Sequence, residues 1–255
     1  MALTVPEIKK LYEAGQIDAA LEAIQEALGA EPPDEEKRQL YARRAWCHYR
    51  QKKYDEALEA ISQAGDDTSA LRCRAYIRAY SAAHRDDAEL EEIVSQLGHD
   101  VDAANALTIR ARDRDCGISH AYVWKIAEVF IENANAASHD VQVANLLHNV
   151  GRFFLDKARN RRDLKMAVGT FTAALAHYGE VSNWHHRAAA CFWMSQALER
   201  LTARPEALRY ATLSTQLWLN QLELDPKNPA FQEKATVAAA AVTDLLAKCR
   251  EAVIK

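Results

Sequence analysis

The sequence predicts an all-α fold made by stacking antiparallel helix pairs, and three observations carry that expectation. The first is a returning pattern: Ala20, Ile24 and Ala27, followed by Pro32, come back as Ala57, Ile61 and Ala64. These offsets of four and three residues put small or aliphatic side chains on one helix face, which needs a neighbouring helix to cover it. The second is that a further helical stretch and a short turn precede each copy. The turns are Ala14-Gly15-Gln16 and Gln51-Lys52-Lys53, so the repeated unit is a hairpin of helices. The third is composition: only 8 Gly and 6 Pro in 255 residues, with alanine-rich stretches such as Thr236 to Ala241. Alanine gives up no side-chain entropy on entering a helix.

Thr4 with Glu7 three residues on is a capping-box pair, so the first helix begins near Val5. Its partner runs from about Ile17 to Leu28 and is stopped by Glu31-Pro32-Pro33. The second pair covers about Asp34 to Arg50 and Tyr54 to Gln63, and Asp66-Asp67-Thr68 breaks it. In the next stretch, 69–138, helices are expected at about Ser69 to Ala82, Asp86 to Leu97, Val101 to Arg112 and Ser119 to Ala136, with Arg114-Asp115-Cys116-Gly117 as a loop. The paired acids Asp66-Asp67 and Asp86-Asp87 stand at helix boundaries, where capping accounts for them.

Residues 139–225 read as two longer pairs. Leu147, Val150, Gly151 and Phe154 mark one first helix, and Ala167, Phe171 and Ala174 its partner. Glycine at 151 would let two helix backbones approach closely. Cys191, Met194, Ser195 and Leu198 mark the next first helix, followed by Ala207, Ala211 and Ser214, with Pro205 at a helix start. After Asp225-Pro226-Lys227-Asn228-Pro229, the segment 228–255 is one long helix from about Ala230 to Ile254. Six pairs and one remaining helix make thirteen helices in a single domain, 1–255, and the last one covers the exposed end of the stack.

Gly15, Ala20, Ile24, Ala27 and Pro32, and again Ala45, Ala57, Ile61 and Ala64, resemble the tetratricopeptide repeat (TPR) family, whose unit has a small residue in its first helix and an Ala, aliphatic or aromatic, Ala pattern in its second. The resemblance covers residues 1–68 most directly and returns over 147–224. The separation of the two copies, 57 minus 20, is 37 residues, longer than the family period of about 34. The resemblance implies a right-handed superhelical stack, a TPR-like α-solenoid with a C-terminal capping helix, and a role in holding partners without catalysis.

Hydrophobic residues at 49% and charged residues at 27% are the balance of a folded soluble domain. A net charge of -4 gives no composition-level support for nonspecific nucleic-acid binding. Charge is nonetheless uneven: residues 1–36 hold nine acidic and two basic side chains, and residues 37–53 hold seven basic and none acidic. Five widely spaced cysteines without a C-x-x-C pair argue against a disulfide framework or a zinc site. With no signal-peptide pattern and no membrane-length apolar run, a reducing cytoplasmic setting is expected.

Phosphate loops, nucleophile elbows and H-E-x-x-H or Glu-x-x-His metal pairs are missing from the sequence, so no catalytic residue, metal or cofactor is expected. His185 and His186 diverge by about 100° on a helix and are unsuited to one metal ion. The resemblance implies instead a concave groove lined by first helices. Beside Ala45 it nominates Arg43, Trp46, Tyr49 and Arg50; beside Gly151, His148, Asn149 and Arg152; beside Ser195, Phe192, Trp193 and Gln196. The third pair offers Tyr76 and Tyr80. Aromatic faces with arginine forks suit a protein or peptide partner carrying acidic groups. Trp46 stands where chaperone-tail-binding relatives supply a polar clamp residue, so that ligand is not expected. Two alternatives compete. One is RNA binding along Arg152, Lys157, Arg159, Arg161, Arg162 and Lys165, and the other is an enzyme pocket near Cys116, His120, His148 or His185. Self-association through an open end of the stack is a further option.

Overall fold

The computed structural model describes residues 3–98, 100–113, 115–133, 141–179 and 184–254. Among the described residues it is all-α, with thirteen α-helices, one 3-10 turn and no strand. The chain divides into two compact units, residues 1–110 and 111–255.

The first unit holds α1 (Val5–Glu13), α2 (Ile17–Gly29), α3 (Asp34–Arg50), α4 (Tyr54–Ala64), α5 (Thr68–Tyr80) and α6 (Asp87–Gln96), and most of α7 (Val101–Ala111). Each helix of α1 to α6 packs on the next, and the first helices also stack on one another, α1 on α3 and α3 on α5. That pattern is the helical-hairpin stack expected from the repeats. At the start of α1, the Glu7 carboxylate accepts from both the backbone N–H and the hydroxyl of Thr4, each at 2.8 Å. Asp67 and Asp86 cap α5 and α6 through the N–H groups of Ala70 and Glu89.

One turn geometry recurs inside three hairpins. Gly15 (φ 78°), Lys52 (φ 60°) and Thr202 (φ 66°) all take the left-handed conformation. In each turn the following N–H reaches back to the carbonyl five residues earlier: Gln16 to Leu11, Lys53 to His48 and Ala203 to Leu198, at 2.9–3.0 Å. This helix-ending motif favours glycine because a Cβ is strained there. Only the first copy has one.

The repeated small residues are the core. Ala20, Ile24 and Ala27 of α2 pack with Ile8 of α1 and are closed over by Leu40 and Cys47 of α3. Ala57, Ile61 and Ala64 of α4 pack with Ala42 and Ala45, closed over by Ala70, Cys73 and Ile77 of α5. Each hairpin therefore borrows its lid from the next first helix. Burying Ile24 or Ile61 is worth about 1.5–3 kcal/mol each.

The helix expected to run to Ala82 ends at Tyr80. Ser81 turns extended (ψ 113°), its hydroxyl pairs with His84 Nδ1 at 2.9 Å, and Arg78 donates to the His84 carbonyl at 3.1 Å. Those bonds fold Ala82–His84 into the 3-10 turn.

The second unit holds α8 (His120–Asn133), α9 (Val141–Asp156), α10 (Arg161–Tyr178), α11 (Trp184–Arg200), α12 (Arg204–Leu224) and α13 (Pro229–Ile254). Arg114 and the expected last turn of α8, residues 134–136, lie outside the described residues. Consecutive helices pack from α8 to α13, and α9 also packs on α11. Asn160 caps α10 by accepting from the N–H groups of Arg162 and Asp163, and Asp163 returns a bond from the N–H of Arg159. Along α13, Ala235, Ala238 and Leu245 form a narrow buried stripe, and Ala235 and Ala238 close the cluster of Ala188, Cys191, Leu217 and Trp218.

Candidate functional site

In the first unit, aromatic contacts join α3 to α5, and arginine stacks join α3 to α1. Arg43, Trp46, Tyr49 and Arg50 recur at helical spacing on α3, beside the buried Ala42 and Ala45. Trp46 meets Tyr49 edge-on at 5.6 Å and Tyr76 at 5.7 Å; Tyr49 lies 6.1 Å from Tyr76, and Tyr76 stacks on Tyr80 at 5.8 Å. Tyr54 extends the set from α4, 6.0 Å from Tyr49 and 6.1 Å from His84. Trp46 is half-buried, and its indole N–H donates to both the carbonyl and the hydroxyl of Ser69 at 3.0 Å, so it also ties α3 to α5. Tyr80 is the most open of the group, 43% exposed.

The two arginines converge on Tyr12. The guanidinium carbons of Arg50 and Arg43 stand 4.2 and 5.4 Å from its ring centre, and Arg50 donates to the Tyr12 carbonyl at 3.1 Å. Contacts of this kind contribute about 0.5–2 kcal/mol each. Neither guanidinium has a carboxylate partner among the described residues. The neighbouring arginines of α5 differ: Arg72 pairs with Asp100, and Arg74 and Arg78 pair with Glu89. Burial raises the phenol pKa of Tyr12 while Arg50 and Arg43 pull it down; for Tyr49 burial pushes the phenol far up.

In the second unit, α9 presents His148, Asn149 and Arg152, and α11 presents Phe192, Trp193 and Gln196. The Arg152 guanidinium lies 3.5 Å over the Trp193 ring and bonds Asp156 at 3.4 Å, and Arg112 bonds the same Asp156 oxygen at 3.2 Å. His148 is half-buried with its ring 5.8 Å from Phe171. Burial, reinforced by Arg152, His186 and Arg112, pushes its pKa down from 6.5 to about 3. Asn149 is half-buried on the same helix. Phe192, Trp193 and Gln196 line one hollow of about 320 Å³ together with Trp218, Glu233, Lys234 and Val237.

The residues of the two alternative readings fall as follows. His120 packs on Phe153 at 4.9 Å, His185 lies 4.0 Å from His186, and the half-buried Cys116 sulfur accepts the N–H of Ile118 at 3.4 Å. Among the described residues no three His, Cys, Asp or Glu side chains gather as metal ligands. Of the basic segment, Arg152 is engaged with Trp193, and Lys157 donates to the Asp113 carbonyl. Arg159, Arg161, Arg162 and Lys165 are exposed.

Residues 12–85 match the family described as Anaphase-promoting complex, cyclosome, subunit 3 (ANAPC3), a family of tetratricopeptide type. This segment is a tetratricopeptide-repeat segment. The match starts at Tyr12 and runs on through α5, so the TPR segment contains the whole aromatic set together with Arg43 and Arg50. No curated protein matches the chain. No described helix is long and apolar enough to cross a membrane.

Sequence reasoning missed Tyr12, Tyr54 and Arg112. Tyr12 was within reach, since it stands 37 positions before Tyr49, the offset that relates the two copies. Arg112 was not, because it follows the end of α7 and meets Asp156 44 residues away in sequence.

Proposed function

We propose that this chain is a noncatalytic adaptor that holds an extended, acidic peptide segment of a partner protein against the aromatic and arginine surface of its TPR segment. The observation that carries this reading is that Arg43 and Arg50 stand on the same helix as a joined set of aromatic rings and have no carboxylate partner among the described residues. A partner's Asp or Glu would complete the charge, and Trp46, Tyr49, Tyr76 and Tyr80 would supply apolar area at small entropic cost. The matched family is named for a subunit of a multiprotein complex, in keeping with partner binding. No disulfide joins any of the five cysteines among the described residues, which suits a reducing cytoplasm.

Arrays of acidic and neutral peptides probed with the full chain and with the double variant Arg43→Glu/Arg50→Glu test this reading. The native chain should select acidic peptides that contain aromatic or aliphatic residues, and the folded double variant should lose them. Undiminished capture by a variant with native circular dichroism refutes the assignment.

A further inference from the structure

The second unit carries a separate charged cluster with unused binding capacity. Two guanidiniums, Arg112 and Arg152, share one Asp156 oxygen among the described residues, leaving a local surplus of one positive charge. The bonds that hold them are slack: Arg112 Nε and Nη2 stand at 3.2 Å and Arg152 Nη2 at 3.4 Å, where well-formed ionic hydrogen bonds measure about 2.7–2.9 Å. Two nitrogens on the same helix, Arg152 Nε and His148 Nδ1, are buried with no hydrogen-bond partner among the described residues. Burying such atoms unpaired is costly, and an anionic oxygen placed here would satisfy them.

The cluster is also held in place. The Arg152 guanidinium lies over the Trp193 ring at 3.5 Å, which removes much of the freedom an exposed arginine would lose on binding. Trp193 is at the same time a wall of the mostly apolar hollow that Phe192, Trp218 and Val237 line together with Gln196, Glu233 and Lys234. Lys234 stands 5.5 Å from the Trp218 ring and has no carboxylate partner among the described residues. A cationic cluster and an apolar hollow thus share one indole.

We propose that Arg112, His148 and Arg152 receive an anionic side chain of a peptide, while the hollow beside Trp193 takes the bulky apolar residue next to it. The recognised chemistry is a pair of anionic oxygens, from a carboxylate or from a phosphate ester. The site belongs to the second unit and does not depend on the TPR-segment reading above.

The test titrates the full ¹⁵N-labelled chain with three amide-capped dipeptides: acetyl-Phe-Asp, acetyl-Phe-phosphoserine and acetyl-Phe-Asn. The Arg152 Nε–H and Trp193 indole N–H resonances are followed. Both acidic probes should shift them saturably, and the neutral probe should bind about tenfold more weakly or worse. Tighter binding of the phosphoserine probe identifies a phosphorylated partner; tighter binding of the aspartate probe identifies an acidic one. Arg152→Gln should abolish the response. The more peripheral Arg112→Gln should weaken it about tenfold, with the Trp46 indole resonance of the first unit unmoved. Absence of shifts up to the solubility limit, equal binding of all three probes, or unchanged affinity in Arg112→Gln overturns the proposal.

Discussion

The ring of Phe171 lies against the backbone of Gly151 so closely that a Cβ at 151 would meet its Cε1, Cδ1 and Cζ atoms at 2.7–2.9 Å. Phe171 is fully buried and has little room to withdraw. Alanine at 151 would gain about 1 kcal/mol in helix propensity but force overpacking that costs about 1–3 kcal/mol. Gly151→Ala is therefore expected to lower the Tm, and Gly151→Ala/Phe171→Leu to recover part of the loss, by calorimetry or thermal circular dichroism.

Lys52 and Thr202 hold the left-handed turn position that Gly15 holds in the first hairpin. Lys52→Gly and Thr202→Gly relieve Cβ strain and should each raise stability by about 0.5–1 kcal/mol, offset in part by the greater freedom of glycine in the unfolded chain. Gly15→Lys should cost a similar amount. Urea midpoints of the three variants check the sign, and a loss of stability in Lys52→Gly would contradict the turn assignment.

Trp46 serves the fold as well as the surface, through its indole N–H on Ser69. Trp46→Phe keeps a ring in place but leaves those acceptors unpaired, at a cost of about 1 kcal/mol. If Trp46 were only a surface aromatic, the substitution would leave the urea midpoint unchanged.

His148 gives the second unit an acid sensitivity whose sign follows from its lowered pKa. Below about 6.5 the unfolded chain takes up a proton at this position while the folded one does not, until pH approaches about 3. The stability it supports is therefore complete above pH 6.5 and is lost as pH falls through that window. His148→Gln should flatten the dependence. Comparison of unfolding midpoints at about pH 7 and about pH 5 in both proteins tests it.

Thiol reactivity should divide the cysteines. Burial pushes Cys47 up to about 11 and Cys191 up to about 12, and Cys73 further still, so all three are protonated and enclosed. Cys116 and Cys249 are only half-buried. Mass spectrometry after brief alkylation should find label at Cys116 and Cys249 first, and at the other three only in denaturant.

The helix pairs were legible because their cause is local. Small side chains at offsets of four and three residues, Thr4 with Glu7, the capping Asp67 and Asp86, and Pro32 act within a turn or two of chain. Residues as far along as Ala235 and Leu245 obey the same helical period. The end of α5 was not legible, since it depends on Ser81, His84 and Arg78 finding one another after the helix has stopped.

For the candidate sites the division is sharper. The sequence by itself determined which side chains flank the buried Ala45, Gly151 and Ser195, because helical geometry dictates neighbours three and four residues away. Only the tertiary structure decided that Arg43 and Arg50 share Tyr12, that Arg152 lies on Trp193, and that Arg112 joins Asp156. Those contacts join residues 31 to 44 positions apart. No period in the chain encodes them; they arise when the packed cores bring separate helices together.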